Sequence, residues 1–202
     1  MEAALEKSVL VTGFSPFPGM PVNPTALLIE RLKHRLPHYR QSVTFRYERL
    51  PTTWAGREDV TAPLRHKVKP DAIVHFGVDG SRPQINIETR AVNRATCLKP
   101  DAAGAMPVSP KLDAEGPDER FSTLAALPLR NAMRATGVPA DLSRDAGAYL
   151  CNATLWDSIG SGIPTIFVHV PSISHGKRDP RLCLASLEEA GIALLRDLAR
   201  RL

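Results

Sequence analysis

Ser8-Val9-Leu10-Val11-Thr12-Gly13-Phe14 is a short, apolar, β-branched run that gives way to a turn region rich in Pro and Gly. Such a run reads as a buried strand. Asn23-Pro24 comes next and supplies an N-cap and a proline at the first helical position. Leu27, Leu28, Leu32 and Leu36 then recur at core-facing spacings before Pro37, which predicts a helix over 25–36. A strand feeding a helix in this way opens an α/β fold. The rest of the chain repeats the unit. Residues 43–50 alternate Val43, Phe45 and Tyr47 with polar neighbours and predict a second strand. Ala72-Ile73-Val74-His75-Phe76-Gly77 predicts another, as do 84–88, 138–142 and 165–170. Helices are predicted at 55–68 (with Pro63 as a breaker), 122–136, 149–159 and 181–202. Residues 94–120 have no period and read as a long excursion of the kind that is often functional. Strands alternating with helices imply an α/β fold with a twisted, mostly parallel central sheet. The expectation is a single three-layer αβα domain over residues 1–202.

Composition narrows the function classes. With 43% apolar and 23% charged residues in 202, the chain is long and apolar enough to bury a core without staples. Its longest apolar runs fall far short of the roughly 20 residues a membrane span needs. Residues 1–7 are mixed in charge and lack the basic-then-apolar plan of a secretion signal, so a cytoplasmic protein with no membrane partner is expected. Lys plus Arg number 26 against 21 Asp plus Glu, a formal +5. The excess is scattered and partly collects at Arg196, Arg200 and Arg201, where cations suit a helix C-terminus. No stacking motif or basic recognition helix accompanies it, so no nucleic-acid partner is expected. Cys97, Cys151 and Cys183 are odd in number and lack CxxC spacing, which argues against a disulfide framework or a zinc site.

In open α/β sheets ligands bind at the carboxyl ends of strands. Glu88 and His169 stand where strands end, and Cys151 stands at the opening of a helix. Singly, they read as a solvated turn residue, a hydrogen-bonded core histidine and a buried thiol. Together they are the set a thiol hydrolase needs: a nucleophile, a base and an orienting acceptor. In Asp145-Ala146-Gly147-Ala148-Tyr149-Leu150-Cys151-Asn152 the thiol lies in the first turns of a helix, where the dipole and open N–H groups favour thiolate. Glu88 follows Ile85 and Ile87 and is expected to share their face. Its partner is expected to be His169 or a substrate N–H, with a salt bridge to Arg82, Arg90 or Arg94 as the structural alternative. After the first strand there is neither GxGxxG nor a Walker lysine.

Five blocks carry a family resemblance: VLVTGFSPFPG (9–19) with Asn23-Pro24; HFGVDG (75–80); INIETRAVN (85–93); GPDERFSTL (116–124) with GVPADLSRDAGAYLCN (137–152); and IFVHVP (166–171). In this order the chain resembles the pyroglutamyl-peptidase I, or pyrrolidone-carboxylate peptidase, family of cysteine exopeptidases. The resemblance implies removal of an N-terminal pyroglutamyl residue from peptides, with no metal or organic cofactor. It implies Cys151 as nucleophile, His169 as general base and then acid, and Glu88 as supporting carboxylate. It also implies a lactam pocket built from Phe14, Phe17 and the position of Val78, with Tyr149 beside the nucleophile. Three departures stand out. Leu98 occupies a position where bacterial members commonly carry Arg, Val78 one where Gln is frequent, and Ser172-Ile173-Ser174 replaces a Tyr-x-Pro. The alternatives are a divergent member acting on another small amide and a non-catalytic binding protein. The resemblance leaves a homo-oligomer open.

Overall fold

A computed structural model describes residues 6–40, 42–173 and 179–202. In chain order the elements are β1 (Lys7–Phe14), α1 (Pro24–Arg35), β2 (His38–Tyr39), β3 (Val43–Leu50), a π-type turn (Arg57–Thr61), α2 (Ala62–Val68) and β4 (Ala72–Val78). They continue with β5 (Ile85–Glu88), β6 (Arg90–Val92), β7 (Glu119–Phe121), α3 (Ala126–Arg134), β8 (Ala140–Ser143), α4 (Leu150–Gly160), β9 (Thr165–Val170) and α5 (Leu184–Ala199). The main sheet has the order β2-β3-β1-β4-β9-β5-β8, and β6 and β7 form a separate hairpin.

The sheet is mostly parallel. β1, β3, β4 and β9 run together, and β5 and β8 run parallel to each other but against β9. Alternation along the central strands divides the core in two. Val9, Val11, Val74, Phe76, Ile85, Ile87, Ile166 and Val168 pack with Leu28, Leu32, Leu187 and Leu195 of α1 and α5 on one face. Phe14 and Phe167 pack with Leu155 and Trp156 of α4 on the other. Thr12, His75, Gly77 and His169 belong to this second face by the same alternation. A fully buried Phe such as Phe167 contributes about 1.5–3 kcal/mol, and it lies directly under the α4 opening.

The first turn signal is realised in detail. Asn23 caps α1 by accepting from Thr25 N at 3.0 Å and Thr25 Oγ1 at 2.9 Å, while its amide donates to Ser15 O at 3.2 Å. A Cβ at Gly13 would stand 2.6 Å from the Thr25 carbonyl, so only glycine lets β1 pass α1 this closely.

Several expected boundaries move, for identifiable reasons. The helix expected at 55–68 forms as a π-type turn that runs directly into α2, and Pro63 stands just after the change of pitch. The helix expected at 122–136 is α3, with Pro128 in its first turn. The strand expected at 138–142 begins only after Pro139, as β8. The final helix is a 3₁₀ turn (Pro180–Leu182) and then α5, broken where Cys183 is extended at ψ 162°. Within the 94–120 excursion, Glu119 and Arg120 pair back onto β6. Among the described residues no helix is long and apolar enough to cross a membrane.

Candidate active site

The loop 144–149 lifts the chain from β8 to the start of α4, turning at Gly147 with φ +76°. Tyr149 holds the N-cap position in extended conformation, and its side chain makes no capping bond to the helix. The leading amides of α4 therefore keep their N–H groups directed at the space beside Cys151. Asn152, fully buried, fixes this end: its Oδ1 accepts from Val92 N at 2.8 Å, and its amide donates to Val92 O at 2.8 Å and Arg94 O at 3.0 Å.

Beneath the thiol, β4 has no side chain. A Cβ at Gly77 would come 2.4 Å from Phe167 Cζ and 3.2 Å from Cys151 Sγ. Gly77 pairs with His169 across β4 and β9, so the absent side chain opens the space where thiol and imidazole meet. Phe167 supports that space, with its ring centroid 4.8 Å from that of His169 and 6.1 Å from that of Phe14.

Glu88 faces away from Ile85 and Ile87, contrary to expectation. Strict alternation pairs it with Asn86, and in the antiparallel register it lies opposite Phe167, diagonal to His169. Because β5 runs against its neighbour, the carboxylate reaches the site from below rather than from the common carboxyl edge of the central strands. Glu88 is fully buried; it accepts hydrogen bonds from His169 Nδ1 at 3.0 Å and Asp145 N at 3.1 Å, and it forms an ion pair with Arg82 Nη1 at 3.0 Å. The two partners that the sequence presented as alternatives, His169 and Arg82, meet on the same oxygen, Oε1. Arg90 instead pairs with Glu119 at 2.6 Å, and Arg94 joins no ion pair among the described residues.

Arg82 binds far more than Glu88. Its Nε donates to Asp79 Oδ2 at 2.8 Å and its Nη2 to Asp145 O at 2.6 Å. Asp79 also accepts from Ser81 Oγ at 2.6 Å. Burial acts to raise the Asp79 pKa, but the bonds from Ser81 and Arg82 outweigh it and hold the carboxyl down at about 2.

With Nδ1 committed to Glu88, His169 keeps Nε2 for the cavity that Cys151 also lines. Burial alone would push His169 down. The charge and hydrogen bond of Cys151, together with those of Glu88, prevail and raise it to about 9. The imidazole is thus held as its cation at neutral pH.

These groups border a cavity of about 300 Å³. Phe14, Phe17, Val78 and Tyr149 all line it, along with Met20, Asn23, Thr52 and Leu150. Phe14 serves twice, as a core aromatic of the second cluster and as cavity wall. Leu98 points away and is 93% exposed, whereas its neighbour Lys99 lines the cavity with its Nζ 4.4 Å from the centre of the Tyr149 ring. Ser172 follows β9, and Ser174 lies outside the described residues.

Reading residues alone missed Gly77 and Asn152 as parts of the site, and it offered Arg82 only as one of several possible partners of Glu88. Gly77 sits inside the HFGVDG block and Asn152 directly follows the cysteine, so their signals were local. Arg82 and Lys99 are set by loop paths that carry no periodic signal.

The chain matches the family model described as pyroglutamyl peptidase over residues 7–187. It is 32% identical over 195 residues to the pyrrolidone-carboxylate peptidase of Cupriavidus pinatubonensis, an alignment covering 90% of this chain and 87% of that one. The pyrrolidone-carboxylate peptidase of Thermococcus onnurineus is 32% identical over 184 residues, covering 88% and 90%. Among solved structures, pyroglutamyl peptidase I of Bacillus amyloliquefaciens superposes with a TM-score of 0.85 at 29% identity, covering 96% of this chain and 98% of that one.

Proposed function

The chain belongs to the pyroglutamyl peptidase family, and from that premise we propose that it is a cysteine exopeptidase that hydrolyses the amide bond after an N-terminal pyroglutamyl residue. The observation that carries this reading is the series Glu88–His169–Cys151, buried at its first two members and half-buried at the thiol, beside a cavity with aromatic walls. A five-membered lactam presents two apolar faces, one N–H and one C=O, and it suits a compartment lined by Phe14 and Phe17. Val78 adds an apolar surface where relatives frequently carry an amide. The lactam's polar edge therefore falls to Asn23, Thr52 or nearby backbone groups.

The geometry supports the following course. The Cys151 thiolate attacks the pyroglutamyl carbonyl carbon, forming a C–S bond and placing negative charge on the carbonyl oxygen. The open N–H groups at the start of α4 receive that charge. The His169 imidazolium gives its Nε2 proton to the leaving nitrogen as the C–N bond breaks, and the shortened peptide departs. A water molecule then loses a proton to neutral His169 and attacks the thioester. Pyroglutamate leaves, and the thiolate–imidazolium pair is restored. Throughout, Glu88 fixes the ring through Nδ1 and balances its positive charge.

The whole chain serves as one peptidase domain in this reading. The cytoplasm is the compartment it implies, because the nucleophile must stay reduced and all three cysteines are free. The test is turnover of pyroglutamyl, prolyl and alanyl amides of the same fluorophore side by side. The pyroglutamyl amide should be cleaved at least about a hundredfold faster, since a site built for a lactam N–H and C=O rejects rings that lack them. Equal rates, or cleavage of another amide alone, would overturn the assignment.

A further inference from the structure

The cavity has a floor and a mouth, and they differ in charge. Phe14, Asn23, Thr52, Ala146, Leu150 and His169 are buried and form the floor. Gly80, Gly147 and Lys99 are exposed and mark the mouth. A pyroglutamyl ring seated on the floor with its carbonyl at Cys151 sends the rest of the peptide out past that rim.

Lys99 is held at the rim by its surroundings. On one side Thr96 N donates to Ala148 O at 2.6 Å, and on the other the Tyr149 hydroxyl donates to Pro100 O at 2.8 Å. Asp101, buried, accepts from Trp54 N at 2.7 Å and from the amides of Ala103 and Ala105, which pins the following turn. The ammonium lies over the Tyr149 ring, an aromatic face that favours a cation but leaves it uncompensated. Among the described residues Lys99 has no carboxylate within ion-pair distance. The other charges at the cavity are already matched. Asp79 is tied to Arg82 and Ser81, His169 is paired with Cys151 and Glu88, and Asp101 is spent on backbone amides.

We propose that Lys99 selects substrates carrying a carboxylate just beyond the scissile bond. That carboxylate has two sources: the free C-terminus of a pyroglutamyl dipeptide, or an acidic side chain at the residue following pyroglutamate. The selectivity rests on the peptidase reading above and goes beyond it.

The experiment compares kcat/KM for pyroglutamyl-alanine, pyroglutamyl-alanine amide, pyroglutamyl-glutamate amide and pyroglutamyl-lysine amide, at low and high salt. The wild type should favour the anionic members over alanine amide by about two- to fivefold at low salt, the size of a charge pair at an exposed site, and less at high salt. Preference for the free acid alone assigns the terminal carboxylate as ligand, and preference for the glutamate amide alone assigns the side chain. Lys99→Gln, which keeps a polar stem of similar reach, should bring the ratios to about one. Lys99→Glu should turn the preference toward the lysine amide. Ratios near one in the wild type, or a preference that persists in Lys99→Gln, would overturn the proposal while leaving the peptidase reading intact. Absence of turnover on every pyroglutamyl substrate would overturn both.

Discussion

Replacing Glu88 with Gln removes one charge from a site that holds two cations. Oε1 lies 3.0 Å from His169 Nδ1 and 3.0 Å from Arg82 Nη1, and no part of Glu88 is exposed. At an effective dielectric of about 20, unit charges that far apart attract by roughly 5 kcal/mol before dehydration is subtracted. Removing one partner of a buried pair costs about 3–5 kcal/mol, because the other charge is left buried and uncompensated. Arg82 keeps Asp79 and the Asp145 carbonyl, so the lower end applies. For a chain of this size, about 3 kcal/mol corresponds to a fall in Tm of roughly 6–12 °C. Catalysis should suffer separately. His169 loses the carboxylate that orients it and helps raise it to about 9, so the imidazolium that protonates the leaving nitrogen becomes scarcer at neutral pH. A fall in kcat/KM on the order of 10² or more follows, about 2.7 kcal/mol of transition-state stabilisation. The assay pairs scanning calorimetry with steady-state kinetics on a fluorogenic pyroglutamyl amide, well below the variant's Tm and across pH. In the wild type, activity should decline as pH rises through about 9 and the imidazolium is lost. In Glu88→Gln that decline should begin at lower pH. A lowered Tm with unchanged kcat/KM and an unmoved alkaline limb would make Glu88 a structural residue and refute the reasoning.

Cys151→Ser should abolish turnover, whereas Cys97→Ser and Cys183→Ser should retain it, because only Cys151 meets His169; iodoacetamide inactivation that depends on Cys97 or Cys183 would contradict this. Arg82→Met should lower kcat/KM about tenfold with KM little changed, through loss of the ion pair that steadies Glu88, and Arg82→Lys should recover only part of it. A single ammonium cannot reach Glu88, Asp79 and the Asp145 carbonyl at once; full activity in Arg82→Met would remove Arg82 from the positioning role. His75 is fully buried between Thr12 Oγ1 at 2.6 Å and Ser158 Oγ at 2.9 Å, and burial depresses it from 6.5 to about 3. As pH falls below 6.5 the unfolded chain takes up a proton that the folded chain refuses, so stability should drop by up to about 1.4 kcal/mol per pH unit until His75 itself protonates. Denaturant unfolding at pH 7, 5.5 and 4.5 should show a shallower loss for His75→Gln than for wild type; equal slopes would refute it.

Much of the architecture is legible in the chain because its central strands are continuous apolar runs. Val9-Leu10-Val11, Ala72-Ile73-Val74 and Ile166-Phe167-Val168 read as buried strands from composition alone, and Asn23-Pro24 marks the start of α1 unaided. The cysteine at a helix opening and the histidine on an apolar strand were readable for the same reason, since each sits at a junction of local signals. Strand direction was not readable. Nothing in Ile85-Asn86-Ile87-Glu88 says that β5 runs against β9, and with the direction went the diagonal approach of Glu88 to His169; its face, opposite Ile85 and Ile87, follows from alternation alone. Pro63 looks like a breaker in sequence, yet the helical stretch runs through it with a π-type turn just before, and Pro128 occupies the first turn of α3, where a helix tolerates it. Arg82 and Lys99 lie on loops, and what they touch depends on tertiary closure with Asp145, Glu88 and Tyr149.

A pyroglutamyl thioester at Cys151 is the central species of the proposed reaction, and mass spectrometry of acid-quenched enzyme detects it. Mixing the protein with a pyroglutamyl ester and quenching early should add one pyroglutamyl group to the proteolytic fragment containing Cys151. The adduct should disappear as turnover completes and be absent from Cys151→Ser. Turnover with no adduct at any quench time, or an adduct on Cys97 or Cys183, would contradict the account.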